Sequence, residues 1–390
     1  MSILGIVAEY DPFHNGHARH MTLAQEAVAP TETLVVLSGC FRQRGDLALL
    51  SPYDRASCAL AVGADAVFAL PAVWTLRSAE QYAQGAIALL SLLGCTHIAF
   101  GAECDDLDLL SRAAEMLESP PDGFRAVLRR ELERGMGFPR SQQRALESML
   151  PEAKDLLSAP NNILALSYLR GIRRLGLELQ PVLIPRTGSY HSDTIDPSAP
   201  SATALRSALC RGDWCHALSA VPKSAERVIR KAFLDGRVSN EKKFDTLLLN
   251  RLRNLRGRME MVDLPDDSEG LSRRVLQSAV HAQSRKELLE RASTSRYSAA
   301  RVSRMCACAM LDITGEGTRA VSLPDEALLL GLQRKPEMTK RWKTDQIPIL
   351  SSIQDSKNPP LWEADRRAWS LWALCSTLPD TLPFSEHMCS

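Results

Sequence analysis

The stretch Val7–His20, VAEYDPFHNGHARH, decides how the rest of the chain is read. Ahead of it, Ile3, Leu4, Gly5, Ile6 and Val7 make an apolar run that reads as a buried strand. Asp11-Pro12 is a turn signal, and beyond it Ala18, Met21, Leu23, Ala24, Ala27 and Val28 recur at helical spacing. Strand, short loop and helix together aim unpaired backbone N–H groups and the positive end of a helix dipole at an anion. His14 and His17 fall where that anion would lie, and Gly16 between them permits close approach of backbone to ligand.

The pattern repeats outward from this point. Thr33–Ser38 reads as a second buried strand and runs into the polar loop Cys40–Asp46, which carries Arg42 and Arg44. In open parallel sheets ligands bind at the carboxyl ends of the strands, so this loop is expected to face the same crevice as the histidines. Ser51–Val62 continues as a helix with Arg55 on its polar face. Ala66–Leu70 is a third strand, Ala79–Leu93 a helix, and Thr96–Phe100 a fourth strand. Gly101 follows directly; a residue without a side chain there lets a base or ribose lie flat against the backbone, and equally fits a plain turn. Pro160-Asn161-Asn162 opens another helix; one Asn serves as its N-cap, and the second is left for a ligand. Pro181–Pro185 is the fifth strand, ending at Arg186-Thr187-Gly188. Pro200–Arg206 then places Ser201 and Thr203 at a helix entrance with Arg206 close behind.

Alternating strands and helices of this kind predict an α/β fold with a doubly wound parallel sheet. Arginine-rich residues from Asp105 to Lys154 interrupt the rhythm with a helical pattern and are read as an insertion, about 105–158. The expected catalytic domain is residues 1–212. Residues 213–390 are expected to form a mostly α-helical C-terminal domain, basic and RNA-facing, with Lys335–Lys343 as a basic loop.

Bulk composition narrows the classes. The 390 residues are 45% hydrophobic and 24% charged, ordinary for a water-soluble globular chain. No apolar run is long enough to span a membrane, and the first strand begins almost at Met1; a cytoplasmic protein is expected. The 10 Cys include no C-x-x-C pair and no cluster at zinc spacing, so no structural metal is expected. The net charge of +1 conceals an asymmetry, because Lys223–Arg304 holds 19 Lys and Arg against 11 Asp and Glu. Such a block suits a polyanionic partner, although a solvated helical face is the commoner cause of such a run. Within it Arg296, Tyr297, Arg301 and Arg304 form a basic-aromatic group that suits stacking on a base with phosphate contacts, and also suits an ordinary helix-pair surface.

H-x-G-H after a first strand resembles the signature of the nucleotidyltransferase superfamily that includes the class I aminoacyl-tRNA synthetases, and S-x-T-x-x-R resembles that superfamily's second phosphate-binding segment. Taken in order, VAEYDPFHNGHARH, SGCFRQRGD, FGAE, PNNILALSY, PRTGSYH, SATALR and SRYSAARVSRM are similar to segments of the bacterial tRNA(Met) cytidine acetate ligases. The likeness covers most of the chain and is strongest up to about Arg206. It implies that ATP and acetate form acetyl-adenylate and pyrophosphate, with Mg²⁺ helping pyrophosphate leave. The acetyl group then passes to the wobble cytidine of elongator tRNA(Met), giving N4-acetylcytidine. The implied ATP site is Val7, Ala8, Glu9, Tyr10, Asp11, Pro12, Phe13, His14, Asn15, Gly16, His17, Ala18, Arg19 and His20, with Gly101, Asn162, Arg186 and adjacent Thr187. His14 and His17 are the expected catalytic pair, Ser201, Thr203 and Arg206 the expected holders of the outer phosphates, and Arg42 or Arg44 the expected partner of acetate. The family motif usually has Asn where this chain has Asp11; a carboxylate there would recruit Mg²⁺ or mark an altered substrate, and a harmless loop change is the favoured reading. Two other readings stand beside this one: a small-molecule adenylyl- or cytidylyltransferase, and a non-catalytic nucleotide- or RNA-binding relative. The residues carry no reading of oligomeric state.

Overall fold

The computed structural model describes residues 1–186, 196, 200–258, 262–268, 270–333, 335–345 and 347–376. Seven strands form one sheet: β1 (Ile3–Ala8), β2 (Glu32–Ser38), β3 (Ala66–Leu70), β4 (His97–Ala102), β5 (Gln180–Pro185), β6 (Ala327–Leu332) and β7 (Ile349–Leu350). Their order is β5-β4-β1-β2-β3-β6-β7, and every neighbouring pair is parallel except β3 with β6. The five expected strands are all present. All residues of β2 and β3 are buried, as expected of strands covered by helices on both faces.

The chain winds β1→β2→β3 to one side and returns to β4→β5 on the other, so the order reverses at β1. In doubly wound sheets the crevice outside the strand ends opens at such a reversal. The helix Asn15–Val28 begins there, immediately past β1. Helices Leu107–Glu118, Asp122–Glu133 and Phe138–Met149 fill the expected insertion.

From Trp214 onward the chain is mostly helical, as predicted, with two departures. First, β6 and β7 return to the sheet: Ala66–Ala69 of β3 face Leu332–Leu328 of β6 in antiparallel register, and β6 pairs onward to β7. Second, Lys335–Lys343 is no loop; Pro336–Thr344 is a helix opened by Pro in its first turn. Its Arg341 is largely buried, pairing with Glu32 at 2.7 Å and donating to the Leu93 carbonyl at 3.0 Å. The last helix, Pro359–Cys375, packs on the short helix Ala72–Thr75 that follows β3. Its buried Asp365 accepts the Ala72 N–H at 2.8 Å, and Trp372 Nε1 donates to the Ala48 carbonyl at 2.8 Å.

Candidate active site

At the head of the first helix His14 has extended dihedrals (φ −146°, ψ 173°) and is the N-cap. Its backbone N–H donates to Nδ1 of His17 at 3.3 Å. A neutral imidazole that accepts at Nδ1 carries its proton on Nε2, so His17 keeps one N–H for a ligand. The two rings stack with centroids 3.6 Å apart and 16° between planes. Gly16 makes this possible, because a Cβ there would lie 3.1 Å from both Cε1 and Nδ1 of His14. Tyr10, at φ 48°, packs its buried ring 4.6 Å from Phe13 and 4.9 Å from His17, bracing the pair from behind.

Burial pushes the His14 imidazole down to about 3, with the Arg186 and Arg206 charges adding to the effect. Burial likewise holds His17 well below the usual histidine range, helped by His14, Arg186 and His20, and brings His20 to about 4. All three are therefore neutral near pH 7. His14 Nδ1 and His20 Nε2 are buried without a hydrogen-bond partner among the described residues, at a place where two arginines converge. Orphaned polar atoms are costly to bury, and their concentration here is what a site completed by a ligand requires.

Linkage gives a measurable consequence. Below pH 6.5 the unfolded chain protonates histidines that the native fold keeps neutral, so stability falls as pH drops from about 6.5 toward 4. His14 alone contributes a slope of about 1.4 kcal/mol per pH unit across that range. Urea unfolding at several pH values should show stability falling toward acid, with a shallower fall in His14→Gln; equal slopes would mean that the ring is not held neutral.

The other expected residues gather unevenly. Arg186 leaves β5 with its N–H on the Ala102 carbonyl at 3.0 Å, and its side chain lies against Gly101, where a Cβ would come 3.1 Å from Arg186 Cγ. Arg206 reaches back to the Asp11 carbonyl at 2.5 Å and to Thr203 Oγ1 at 3.0 Å. Ser201 is the N-cap of Ala202–Cys210 by position, but its hydroxyl caps no helix N–H. Thr187 lies outside the described residues. The Asn pair behaves differently from expectation: helix Pro160–Leu175 takes Ala159 as N-cap and holds both Asn in its first turn. Asn161 donates to Glu103 at 2.6 Å, while Asn162 Oδ1 accepts the Cys104 N–H at 2.8 Å. Both therefore shape the loop after β4.

Asp11 is buried, and its Oδ1 accepts the N–H groups of Leu49 and Leu50 at 2.9 and 3.3 Å. Its Oδ2 faces Arg42 at 3.5 Å and Arg206 at 4.0 Å. Arg42 also pairs with Asp46 at 3.2 Å, and Asp46 pairs with Arg285 of the helical region. The Asp11 carboxylate thus balances arginines of the crevice. Sequence reading missed Arg55, placed on a polar face but in fact fully buried. It donates to the carbonyls of Glu9 (2.6 Å), Leu50 (3.2 Å) and Gly39, tying the ends of β1 and β2 together. The available signal was its position four residues before buried Ala59, on the apolar stripe.

The expected RNA-facing group is arranged differently as well. Tyr297 is buried and donates to the Ser268 carbonyl at 3.3 Å, so its ring is no stacking platform. Arg301 is held by the Asp266 carbonyl at 2.6 Å and Ser268 Oγ at 2.9 Å. Arg304 is largely buried, which lowers its basicity. The backbone at Ser303 and Arg304 presses on Gly45, whose φ of 84° and lack of a side chain allow the contact, while Arg296 is exposed.

Residues 1–382 match the family model described as HIGH Nucleotidyl Transferase. A tRNA(Met) cytidine acetate ligase of Thermosipho melanesiensis is 33% identical over 374 residues, covering 93% of this chain and 86% of that protein. The chain belongs to the tRNA(Met) cytidine acetate ligase family. Another ligase of that name, from Syntrophomonas wolfei, is 35% identical over 78% of this chain and 74% of its own length. A crystal structure of Thermotoga maritima TmcAL bound with alpha-thio ATP superposes with a TM-score of 0.86 at 26% identity, covering 97% of this chain and 95% of that one. The apo form of the same ligase gives 0.88 at 26% identity, covering 97% and 96%.

Proposed function

We propose that this protein is an ATP-dependent tRNA(Met) cytidine acetate ligase. It joins acetate to the α-phosphate of ATP and passes the acetyl group to the exocyclic amine of the wobble cytidine in elongator tRNA(Met). The observation that carries the reading is the neutral, stacked imidazole pair at a helix N-terminus, flanked by Arg186 and Arg206, in a chain of this family.

Adenylation asks the protein for positioning and charge stabilisation. An acetate oxygen attacks the α-phosphorus, the bond to the bridging oxygen breaks, and pyrophosphate leaves with the electron pair. His17, with its proton on Nε2, donates to an α-phosphate oxygen as charge builds there; His14 and the first-turn N–H groups assist. Ser201, Thr203 and Arg206 cradle the outer phosphates, and Gly101 with the loop held by Asn162 accommodates the nucleoside. Arg42 or Arg44 orients acetate. Mg²⁺ would supply charge neutralisation for the departing pyrophosphate, and the carboxylates of Glu9 and Asp11, which accept the N–H groups of Gln43 and of Leu49 and Leu50, would be the crevice residues to hold it. In the second step the cytidine amine attacks the acetyl carbonyl, AMP leaves, and the amine gives up a proton. An anticodon loop presents that base without a duplex to open.

No helix among the described residues is long and apolar enough to cross a membrane, consistent with a cytoplasmic enzyme. The test is nucleoside analysis of tRNA incubated with the purified protein, ATP, Mg²⁺ and labelled acetate. Labelled N4-acetylcytidine in elongator tRNA(Met), dependent on ATP, is expected. Label on a small-molecule adduct would favour a cofactor-making nucleotidyltransferase.

A further inference from the structure

Several cations of the basic block are already committed. Arg230 and Lys223 pair with Glu226, Arg251 with Asp312, and Arg291 with Glu287. One face differs. Helices Glu241–Arg256 and Leu271–His281 pack antiparallel, with Arg253 beside the end of the second helix. Between them lies an open depression of about 540 Å³ lined by Arg253, Arg256, Gly257, Arg273 and Gln277.

Among the described residues no carboxylate lines the depression, and none of its three arginines makes an ion pair with a described residue. Arg253 donates Nε to the Ala279 carbonyl at 2.9 Å and a terminal N–H to the Ala282 carbonyl at 2.7 Å. Those acceptors are neutral, so they fix the guanidinium in place without cancelling its charge. Arg256 and Gly257 follow within one turn, and the glycine leaves the floor open. Arg273 and Gln277 stand four residues apart on the facing helix, hence on one side of it.

We infer that this depression docks the sugar–phosphate backbone of the tRNA, with Arg253, Arg256 and Arg273 as phosphate contacts that read no base. This rests on the ligase reading above. Among the described residues the lining carries charge in abundance but no aromatic or aliphatic wall, which suits a phosphate backbone better than a nucleobase or the apolar side chains of a protein partner. Its openness suits a strand passing through, where a small anion would be wrapped. Placement agrees as well. The Glu241–Arg256 helix packs on Ala299–Met310, whose backbone at Ser303 touches Gly45 of the Arg42–Asp46 loop at the crevice. A tRNA body held here lies on the helical layer that borders the reaction site.

The test compares the wild type with Arg256→Gln/Arg273→Gln, leaving Arg253 to secure its helix. Affinity for elongator tRNA(Met) is measured across a KCl series, alongside acetate-dependent exchange of pyrophosphate into ATP without tRNA. The double variant should bind tRNA at least ~10-fold more weakly at low salt, with the slope of log K against log salt reduced by roughly 1.5 to 2, the loss of two phosphate contacts. Exchange should be unchanged, and Arg256→Lys/Arg273→Lys should keep most of the slope. A double variant with wild-type affinity and slope overturns the inference, since tRNA then docks elsewhere. So does a variant that retains tRNA affinity but loses affinity for polyglutamate, which would mark an acidic protein partner. Loss of exchange together with tRNA affinity, with wild-type behaviour absent from the Lys pair too, also overturns it by making the residues structural. If the wild type makes acetyl-adenylate yet binds no tRNA, the ligase reading itself fails.

Discussion

His17→Ala should lower acetyl-adenylate formation by at least ~100-fold, the usual loss when one aligned donor to developing charge is removed. The mutation does more than delete a ring. His17 Nδ1 accepts the His14 N–H at 3.3 Å, so alanine frees the N-cap, and the stacked His14 ring loses its partner at 3.6 Å. His14→Ala should fall in the same range but leave the His17 tautomer less disturbed, since the bond that sets it comes from the His14 backbone. The readout that separates chemistry from binding is single-turnover exchange at saturating ATP. An interaction made mainly in the transition state lowers the maximal rate, with the apparent affinity for ATP changing less. Near-normal maximal rates in both variants would remove the imidazoles from the mechanism and leave them as packing around Tyr10 and Phe13.

Arg55→Met should be the most destabilising substitution near the crevice, by about 3–5 kcal/mol. Methionine fills comparable space, so volume is not the issue. The fully buried guanidinium donates to the carbonyls of Glu9, Gly39 and Leu50, and its loss leaves those acceptors dry. It also strips one positive charge from a neighbourhood that contains Asp11 and Glu9. Chemical denaturation would register the change as a lower midpoint at unchanged slope. A loss below about 1 kcal/mol would mean water or a rearranged side chain takes over the carbonyls. Because Glu9 and Gly39 directly follow β1 and β2, a variant that still folds should bind ATP more weakly through a loosened crevice.

The parts of the fold legible in the sequence were those written in local pattern. Apolar runs of β-branched and aliphatic residues gave β1 to β5 with small shifts at their ends, and H-x-G-H marked the point where the sheet reverses. What stayed hidden was set at long range. Ala327–Leu332, ALLLGL, is a short apolar run among helices, and period alone cannot separate a strand from a buried helix turn. Its identity comes from Ala66–Ala69, far back in the chain. Facing direction was the other blind spot. The spacing of Arg296, Tyr297, Arg301 and Arg304 suits a basic face or a helix-pair surface alike, and only the structure shows that the tyrosine is buried against Ser268 while Arg296 is exposed. The same limit applied to Arg55 in reverse, where a charged residue was assigned to solvent by chemical type although its helical position lay on the inner stripe.

The antiparallel pairing of β6 against β3 has a bearing on how the molecule comes into being. Synthesis from the N-terminus delivers the first five strands early, but the outer flank of β3 then shows its hydrogen-bonding groups to any strand nearby. Only when nearly the whole polypeptide has emerged does the chain supply its own cover. A shortened form ending near residue 212, attractive for separating nucleotide chemistry from RNA handling, should therefore clump rather than work, and the two halves of the enzyme are bound to be inherited and expressed as one.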